Sequence, residues 1–175
     1  MRPLRLFVAM VVLTLCSHGA AFAQTFVSTS ANILNVGFDA GDLLVRWTES
    51  GLQRRVMVEY TVTGAETTTY ACVTGKTGVA LDPVSEGEGI LSGFSLPASS
   101  KGTISQTIGI DESDPSSSDI TNCPTGSRIV LWSVRYTNIE IHDVTNNKTS
   151  PVGGGNFSLT FCNLNRNPQN CPPPS

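Results

Sequence analysis

The chain has 175 residues, of which 11 are Lys or Arg and 14 are Asp or Glu, so its formal net charge is −3. A weakly acidic chain without a basic patch is not expected to bind nucleic acid or an anionic membrane surface. Its length favours one domain rather than several.

The first 23 residues have the three parts of a secretory signal peptide. Arg2 and Arg5 supply positive charge, the apolar run Leu6–Leu15 follows, and Ala21 and Ala23 are the small residues before a cleavage site. The apolar run is too short for a membrane anchor, because a spanning helix needs about 20 such residues. We therefore predict cleavage after Ala23 and a secreted product, which is periplasmic if the host has an outer membrane.

The predicted mature chain, residues 24–175, keeps 152 of the 175 residues and has 9 basic against 14 acidic side chains. Cys16 raises the alternative of a lipidated cysteine, but Leu15 is larger than the residue expected before such a cysteine. The remaining sequence has neither a spanning stretch nor a carboxyl-terminal anchor signal. After cleavage, the product is expected to be free of the membrane.

Apolar and polar residues alternate with a period of two through much of the mature chain, which predicts strands. The clearest segments are 43–48, 56–62 and 157–161. Gly, Pro and Asp residues separate such segments about every 8–12 residues, as is typical of β-sandwiches and barrels. We predict a single immunoglobulin-like β-sandwich of about eight or nine antiparallel strands over residues 24–162, followed by an Asn- and Pro-rich tail, residues 163–175.

One long predicted strand changes phase. Val134 and Tyr136 share a face, whereas Ile139 and Ile141 fall on the opposite one. A shift of one residue near Asn138 reverses the two faces. The pattern predicts either a β-bulge at this point or the junction of two strands.

The mature chain keeps four cysteines, Cys72, Cys123, Cys162 and Cys171, and an even number in an exported chain predicts two disulfides. A metal site is disfavoured, because no C-x-x-C pair occurs and His142 is the single mature histidine. Three connectivities are possible. We favour Cys72–Cys123 with Cys162–Cys171, because the second pair would fix a tail segment that has no periodicity of its own.

Short motifs on either side of the phase change form a recognisable set: Tyr70-Ala71-Cys72-Val73, Asn122-Cys123-Pro124-Thr125-Gly126, Val134-Arg135-Tyr136-Thr137-Asn138-Ile139 and Asp143-Val144-Thr145-Asn146. Together they resemble a group of small exported bacterial proteins, known mainly from actinomycetes, with the pattern Y-x-C-V, C-P-x-G and V-x-Y-T-N. The resemblance covers roughly residues 58–161 and implies a single β-sandwich with a Cys72–Cys123 disulfide. It implies no activity, and Cys162 and Cys171 depart from the pattern.

Catalysis has little support in the sequence. A Ser–His–Asp site would have to use His142, which alternates with two isoleucines as an outward-facing strand residue would, and no G-x-S-x-G elbow is present. Paired carboxylates could serve a glycosidase, but 152 residues are few for such an enzyme with a cleft. The acidic candidates are Glu49, Glu59, Glu66, Glu86, Glu88 and Glu140. We therefore expect a protein that is not an enzyme and that needs no cofactor.

Aromatic side chains could form a ligand surface, because their rings stack on sugars and have polar edges. Tyr60, Tyr70 and Tyr136 are the candidates for such a surface. Trp47 and Trp132 alternate with aliphatic residues, which favours core positions for both.

Two further patterns leave alternatives open. The acidic segment Asp111–Asp119 could offer oxygen ligands to calcium, but it lacks the Gly and terminal Glu of an EF-hand loop and fits an ordinary solvated loop better. Asn147 and Asn156 each begin an N-x-S/T sequon, which matters only in a eukaryotic host.

These observations favour a secreted, non-enzymatic binding or structural module, whose partner is an extracellular protein or a polysaccharide. The alternatives are a small carbohydrate-binding module, a secreted hydrolase or enzyme inhibitor, and a surface protein that self-assembles. The first loops to consider as ligand-binding are 75–93 and 111–126, because loops carry function on rigid β scaffolds.

Overall fold

The computed structural model describes residues 23–35, 40–82, 84–115 and 122–174, with no side-chain description for residues 84–88. The predicted signal peptide up to Phe22 and the acidic-segment residues 116–119 lie outside this part. The described residues form nine strands: β1 (Thr25–Ile33), β2 (Leu43–Ser50), β3 (Met57–Thr74), β4 (Thr77–Ala80), β5 (Val84–Pro97), β6 (Thr103–Ile110), β7 (Arg128–Asp143), β8 (Lys148–Pro151) and β9 (Phe157–Thr160). A single 3-10 turn, Pro168–Asn170, lies in the tail.

The strands form two antiparallel sheets. The smaller sheet has the order β1-β2-β6. In the larger sheet, β3 and β7 pair along most of their length, β5 and β4 follow one another along the outer edge of β3, and β8 and β9 do the same along β7. The predicted all-β, sandwich-like architecture with two disulfides is confirmed, and the nine described strands agree with the predicted number.

The core between the sheets follows from the alternation in the sequence. Leu43, Val45 and Trp47 of β2 are fully buried, and their neighbours along the strand are more exposed. Trp47, Tyr60 and Phe94 form an aromatic group with ring centroids 5.4–5.8 Å apart. Burial of each large apolar side chain contributes about 1.5–3 kcal/mol to the free energy of unfolding. A shift of one residue in strand pairing would expose this face, so the buried face fixes the register of the strands.

Two bulges interrupt the pairing of β3 with β7. Between the pairs Thr63↔Glu140 and Ala65↔Thr137, one residue of β3 lies opposite two residues of β7. The phase change near Asn138 is therefore a bulge within one strand, and Asn138 has the left-handed φ of 55°. In the second bulge, Trp132 is the extra residue of β7 between Leu131 and Ser133.

A small second core lies on the far side of the larger sheet. Ala71, Val73 and Val130 are buried there beneath Leu164 and Cys171 of the tail. Cys162 is joined to Cys171, and Cys72 is joined to Cys123, with Cα–Cα distances of 5.1 and 5.4 Å. The predicted disulfide pairing is confirmed.

Candidate functional site

The face of the larger sheet that points away from the smaller sheet, called here the outer face, contains a depression that could hold a ligand. Thr63, Glu140 and His142 lie on this face, because the residues that alternate with them, including Val62 and Ile141, are buried in the core. A groove of about 610 Å³ crosses it, lined in part by Thr63, Gly89, Ile90, Asn138, Glu140 and Asn156. We call it the outer groove.

The outer groove forms where the first bulge meets the gap between β8 and β9. In this gap Gly154 and Gly155 adopt φ values of 93° and 77°, which L side chains rarely adopt. The backbone is held in place, since Ile139 N donates to Gly155 O at 2.9 Å and Val152 N donates to Ile139 O at 2.9 Å. The glycines therefore leave a depression with a fixed backbone.

The lining of the outer groove is mixed in character. Asn138, Asn156 and Thr63 provide amide and hydroxyl groups, Glu140 provides a carboxylate, and Ile90 is 69% exposed. Segment 75–93 was predicted to be a ligand-binding loop, but much of it is strand, and Ile90 reaches the groove from β5, which pairs it with Thr63. No local pattern in the sequence indicates this arrangement, because it depends on which strands become neighbours.

His142 lies beside the groove and is held by two hydroxyl groups. Its Nε2 is 2.8 Å from Thr63 Oγ1, and its Nδ1 is 2.9 Å from Thr149 Oγ1. Glu140 lies 3.8 Å from Nε2. Both ring nitrogens thus contact threonines of neighbouring strands, an arrangement that cross-links β3, β7 and β8.

A second depression, the Trp132 pocket, opens where the tail meets β7. It has a volume of about 560 Å³ and is lined by Gly78, Trp132, Thr160, Cys162, Asn163, Leu164 and Asn165. Trp132 is only partly buried, unlike Trp47, which is fully buried. The predicted core position is confirmed for Trp47, whereas Trp132 is only partly buried and packs against a smaller core, because the bulge removes it from the alternation.

The predicted tyrosine surface is wrong. Tyr60, Tyr70 and Tyr136 are each at most 1% exposed and cannot contact a ligand at the surface. Each ring lies in the core and donates its hydroxyl to a buried or partly buried acceptor: Glu49 Oε2 at 2.7 Å, Ser113 O at 2.5 Å and Gly41 O at 3.1 Å, respectively. Tyrosine tolerates such burial when its hydroxyl finds a partner, and the sequence could not show those partners.

At one end of β2, the Glu49 end, two carboxylates are buried together. Glu49 and Asp143 are both 0% exposed. Burial, together with the charge of Asp143, raises the pKa of Glu49 from 4.5 to about 7. Asp143 accepts two hydrogen bonds from Asn146, whose side-chain oxygen accepts one from Gln24 Nε2 at 2.8 Å.

At the other end of β2, the Glu66 end, a second group of acids is buried, and one of them, Glu66, is hydrogen-bonded to the segment that follows β6. Glu66 Oε1 accepts hydrogen bonds from Thr68 Oγ1 at 2.5 Å and from Ser113 N at 2.7 Å. Asp42 pairs with Glu112, and burial followed by this pairing raises the pKa of Asp42 from 3.8 to about 7. The burial of Tyr136, followed by the nearby carboxylates, also raises the pKa of its phenol.

The remaining predicted site residues are dispersed. Asn147, with a left-handed φ of 52°, lies exposed in the turn before β8, and Asn156 is exposed at the outer groove. Of the acidic candidates, Glu49 and Glu66 are buried, and Glu140 lines the outer groove. Glu59 is exposed, and the side chains of Glu86 and Glu88 are outside the described part. No group of three or more His, Cys, Asp or Glu residues in the described ranges is arranged to hold a metal ion.

No protein-family model matches the chain, and no curated protein or solved structure matches it either. Within the described ranges, no helix is long and apolar enough to cross a membrane. The two disulfides are compatible with an extracellular protein.

Proposed function

We propose that the chain is an exported, non-enzymatic binding module whose ligand contacts the outer face of the larger sheet. In this proposal residues 1–23 direct export and are removed, and an immunoglobulin-like sandwich presents the binding face. Two disulfides support a location outside the cytosol, because such bonds persist in oxidising compartments.

The observation that carries the proposal is the outer groove itself. A bulge and two left-handed glycines coincide at this point of the larger sheet, and bulges often occur where a sheet serves a functional site. The groove combines an exposed apolar side chain, Ile90, with the polar groups of Asn138 and Glu140. Ligand sites commonly combine apolar surface with a few polar groups in this way.

The chemistry of the titratable groups supports binding rather than catalysis. His142 contacts two threonine hydroxyls, and its position cross-links strands. Glu49 and Asp143, the carboxyl pair at the Glu49 end, are both fully buried, so no substrate could reach them without opening the core.

The binding proposal is tested with residues 24–175 produced in an oxidising compartment. We expect the protein to be retained by at least one of a panel of insoluble polysaccharides and cell-wall fractions, and Ile90→Glu to weaken this retention. Val144→Glu is the matched control, because Val144 is also exposed, at 51%, but does not line the groove. Absence of retention on every material, or equal retention of both variants and the parent, would contradict the proposal.

Export is tested separately by expressing the full chain in a bacterial host and sequencing the amino terminus of the protein outside the cytosol. A mature product that begins at Gln24 is expected. A product that still begins at Met1 would contradict the signal-peptide prediction.

A further inference from the structure

Trp132 occupies an unusual position for a large aromatic residue in this sandwich. As the extra residue of a bulge, it has no direct partner on β3, which pairs Leu131 and Ser133 with Tyr70 and Thr69. A bulge of this kind turns a side chain away from the face that its place in the sequence would give it. The ring therefore packs beside the small second core instead of the main core.

The pocket beside Trp132 has no ionisable side chain among its lining residues. Its polar groups are the hydroxyl of Thr160 and the amides of Asn163 and Asn165, all on exposed residues. Amide and hydroxyl groups can both donate and accept hydrogen bonds, which suits a ligand rich in hydroxyls.

The polar wall of the pocket is held in a fixed conformation. Asn163 Oδ1 accepts a hydrogen bond from Asn165 N at 3.0 Å, and Asn163 O accepts from Asn167 N at 2.8 Å. The Cys162–Cys171 disulfide ties the same segment at both ends, and Phe161 N donates to Trp132 O at 2.8 Å. Such preorganisation lowers the entropic cost of binding.

We propose that the Trp132 pocket binds one ring of a neutral saccharide, with the sugar against the indole and its hydroxyls on Asn163, Asn165 and Thr160. Indole rings offer a large apolar surface to a sugar, and the absence of charge in the lining favours a neutral sugar over a charged one. This inference goes beyond the proposed binding function, because it assigns a second site, apart from the outer groove, and names the class of ligand that this site takes. It places the saccharide site at Trp132, since Tyr60, Tyr70 and Tyr136 are buried.

The two tryptophans of the chain allow a direct test, because Trp47 is buried and serves as an internal control. The mature chain is labelled with 5-fluorotryptophan and titrated with cellopentaose and, separately, with chitopentaose. We expect one of these neutral oligosaccharides to shift the Trp132 fluorine resonance and leave that of Trp47 unchanged. Loss of a resonance in Trp132→Phe assigns the signals.

Variants of exposed polar residues test the contacts without disturbing the core. Asn163→Ala and Asn165→Ala should each weaken binding about fivefold to tenfold, as expected for one lost hydrogen bond. Asn32→Ala, at an exposed position of β1 that lines neither depression, is the matched control and should bind as the parent does. Trp132→Ala should weaken binding at least about tenfold.

The inference is overturned if neither oligosaccharide moves the Trp132 resonance at millimolar concentration, or if both tryptophan resonances move equally. It is also overturned if Asn163→Ala and Asn165→Ala bind as tightly as the parent. Retention on a cell-wall fraction without any fluorine shift would reject the saccharide site and leave the binding module in place. Absence of retention on every material would reject the proposed function itself.

Discussion

Carboxylates are buried at both ends of β2, but different contacts fix the neighbouring irregular segments at the two ends. At the Glu49 end, hydrogen bonds run from Asp143 through Asn146 to Gln24, so the start of β1 is held by side-chain contacts. At the Glu66 end, Glu66 holds the backbone of Ser113, and the chain that follows is also joined covalently to β3 by Cys72–Cys123.

This difference shows how one scaffold can secure irregular segments by two means. A carboxylate that accepts backbone N–H bonds fixes a segment locally, whereas a disulfide acts mainly by restricting the unfolded chain. We therefore expect both ends to depend on pH and hydrogen bonding, and the Glu66 end to depend on its disulfide as well.

The largest expected effect comes from removing the disulfide at the Glu66 end. Replacing Cys72 and Cys123 by Ala should lower the free energy of unfolding by about 4 kcal/mol, because the bond closes a loop with a sequence separation of 51. Urea unfolding measures this loss, and hydrogen exchange should accelerate more at the Ser113 amide than at the Asn146 amide. Equal acceleration at both amides would contradict the comparison.

The matched control is the tail disulfide. Replacing Cys162 and Cys171 by Ala, with a sequence separation of 9, should cost about 2–3 kcal/mol and should not change exchange at Ser113 selectively.

The next effect is a loss of stability as the pH rises. Glu49 keeps its proton up to about pH 7 in the folded protein but loses it near pH 4.5 in the unfolded chain. Between these two pH values the folded state therefore binds more protons than the unfolded chain. The contribution of Glu49 to the free energy of unfolding is fully present below about pH 4.5 and decreases until about pH 7. The decrease due to Glu49 is at most about 3 kcal/mol.

Urea unfolding between pH 4 and pH 8 measures this profile. Asp42 contributes in the same direction, because its pKa is also raised to about 7. Glu49→Gln and Asp42→Asn should each flatten part of the decrease, one at each end of β2. A parent profile that rises over this range, and that neither substitution alters, would contradict the assignment.

Much of the fold could be predicted from the sequence because burial follows the period of a strand. Leu43, Val45 and Trp47 alternate in the sequence and are all fully buried, and the phase change near Asn138 is a bulge. The disulfide pairing also followed from the sequence, since Cys162 and Cys171 flank a short tail without periodicity.

The binding surfaces could not be predicted in the same way. The bulge at Trp132 lies within a regular alternation, and only the register against β3 shows that the residue is extra. The outer groove forms because β5, β7 and the β8–β9 gap lie next to one another, and no local sequence pattern indicates that they do. The burial of Tyr60 depends on Glu49, which lies on another strand and accepts a hydrogen bond from its hydroxyl in the core, and no local pattern pairs these two residues.

A smaller effect is expected when the carboxylate at the Glu66 end is removed. Glu66→Ala leaves Ser113 N and Thr68 Oγ1 without this acceptor, which should cost about 2 kcal/mol. Glu59→Ala on the same strand is the control, because Glu59 is exposed and should change the stability by less than about 0.5 kcal/mol. Similar losses for the two variants would show that Glu66 does not hold the segment.

The smallest effect concerns the hydrogen bonds that hold the start of β1. Gln24→Ala removes the 2.8 Å bond to Asn146 Oδ1 in a partly buried position, so a loss of about 0.5–1 kcal/mol is expected. Gln53→Ala, at an exposed position, serves as the control in the same urea titration. Because no disulfide supports this end, the loss should persist unchanged in the Cys72→Ala, Cys123→Ala background. A loss that depends on that background would mean that the two ends of β2 are coupled through the core and do not secure their segments independently.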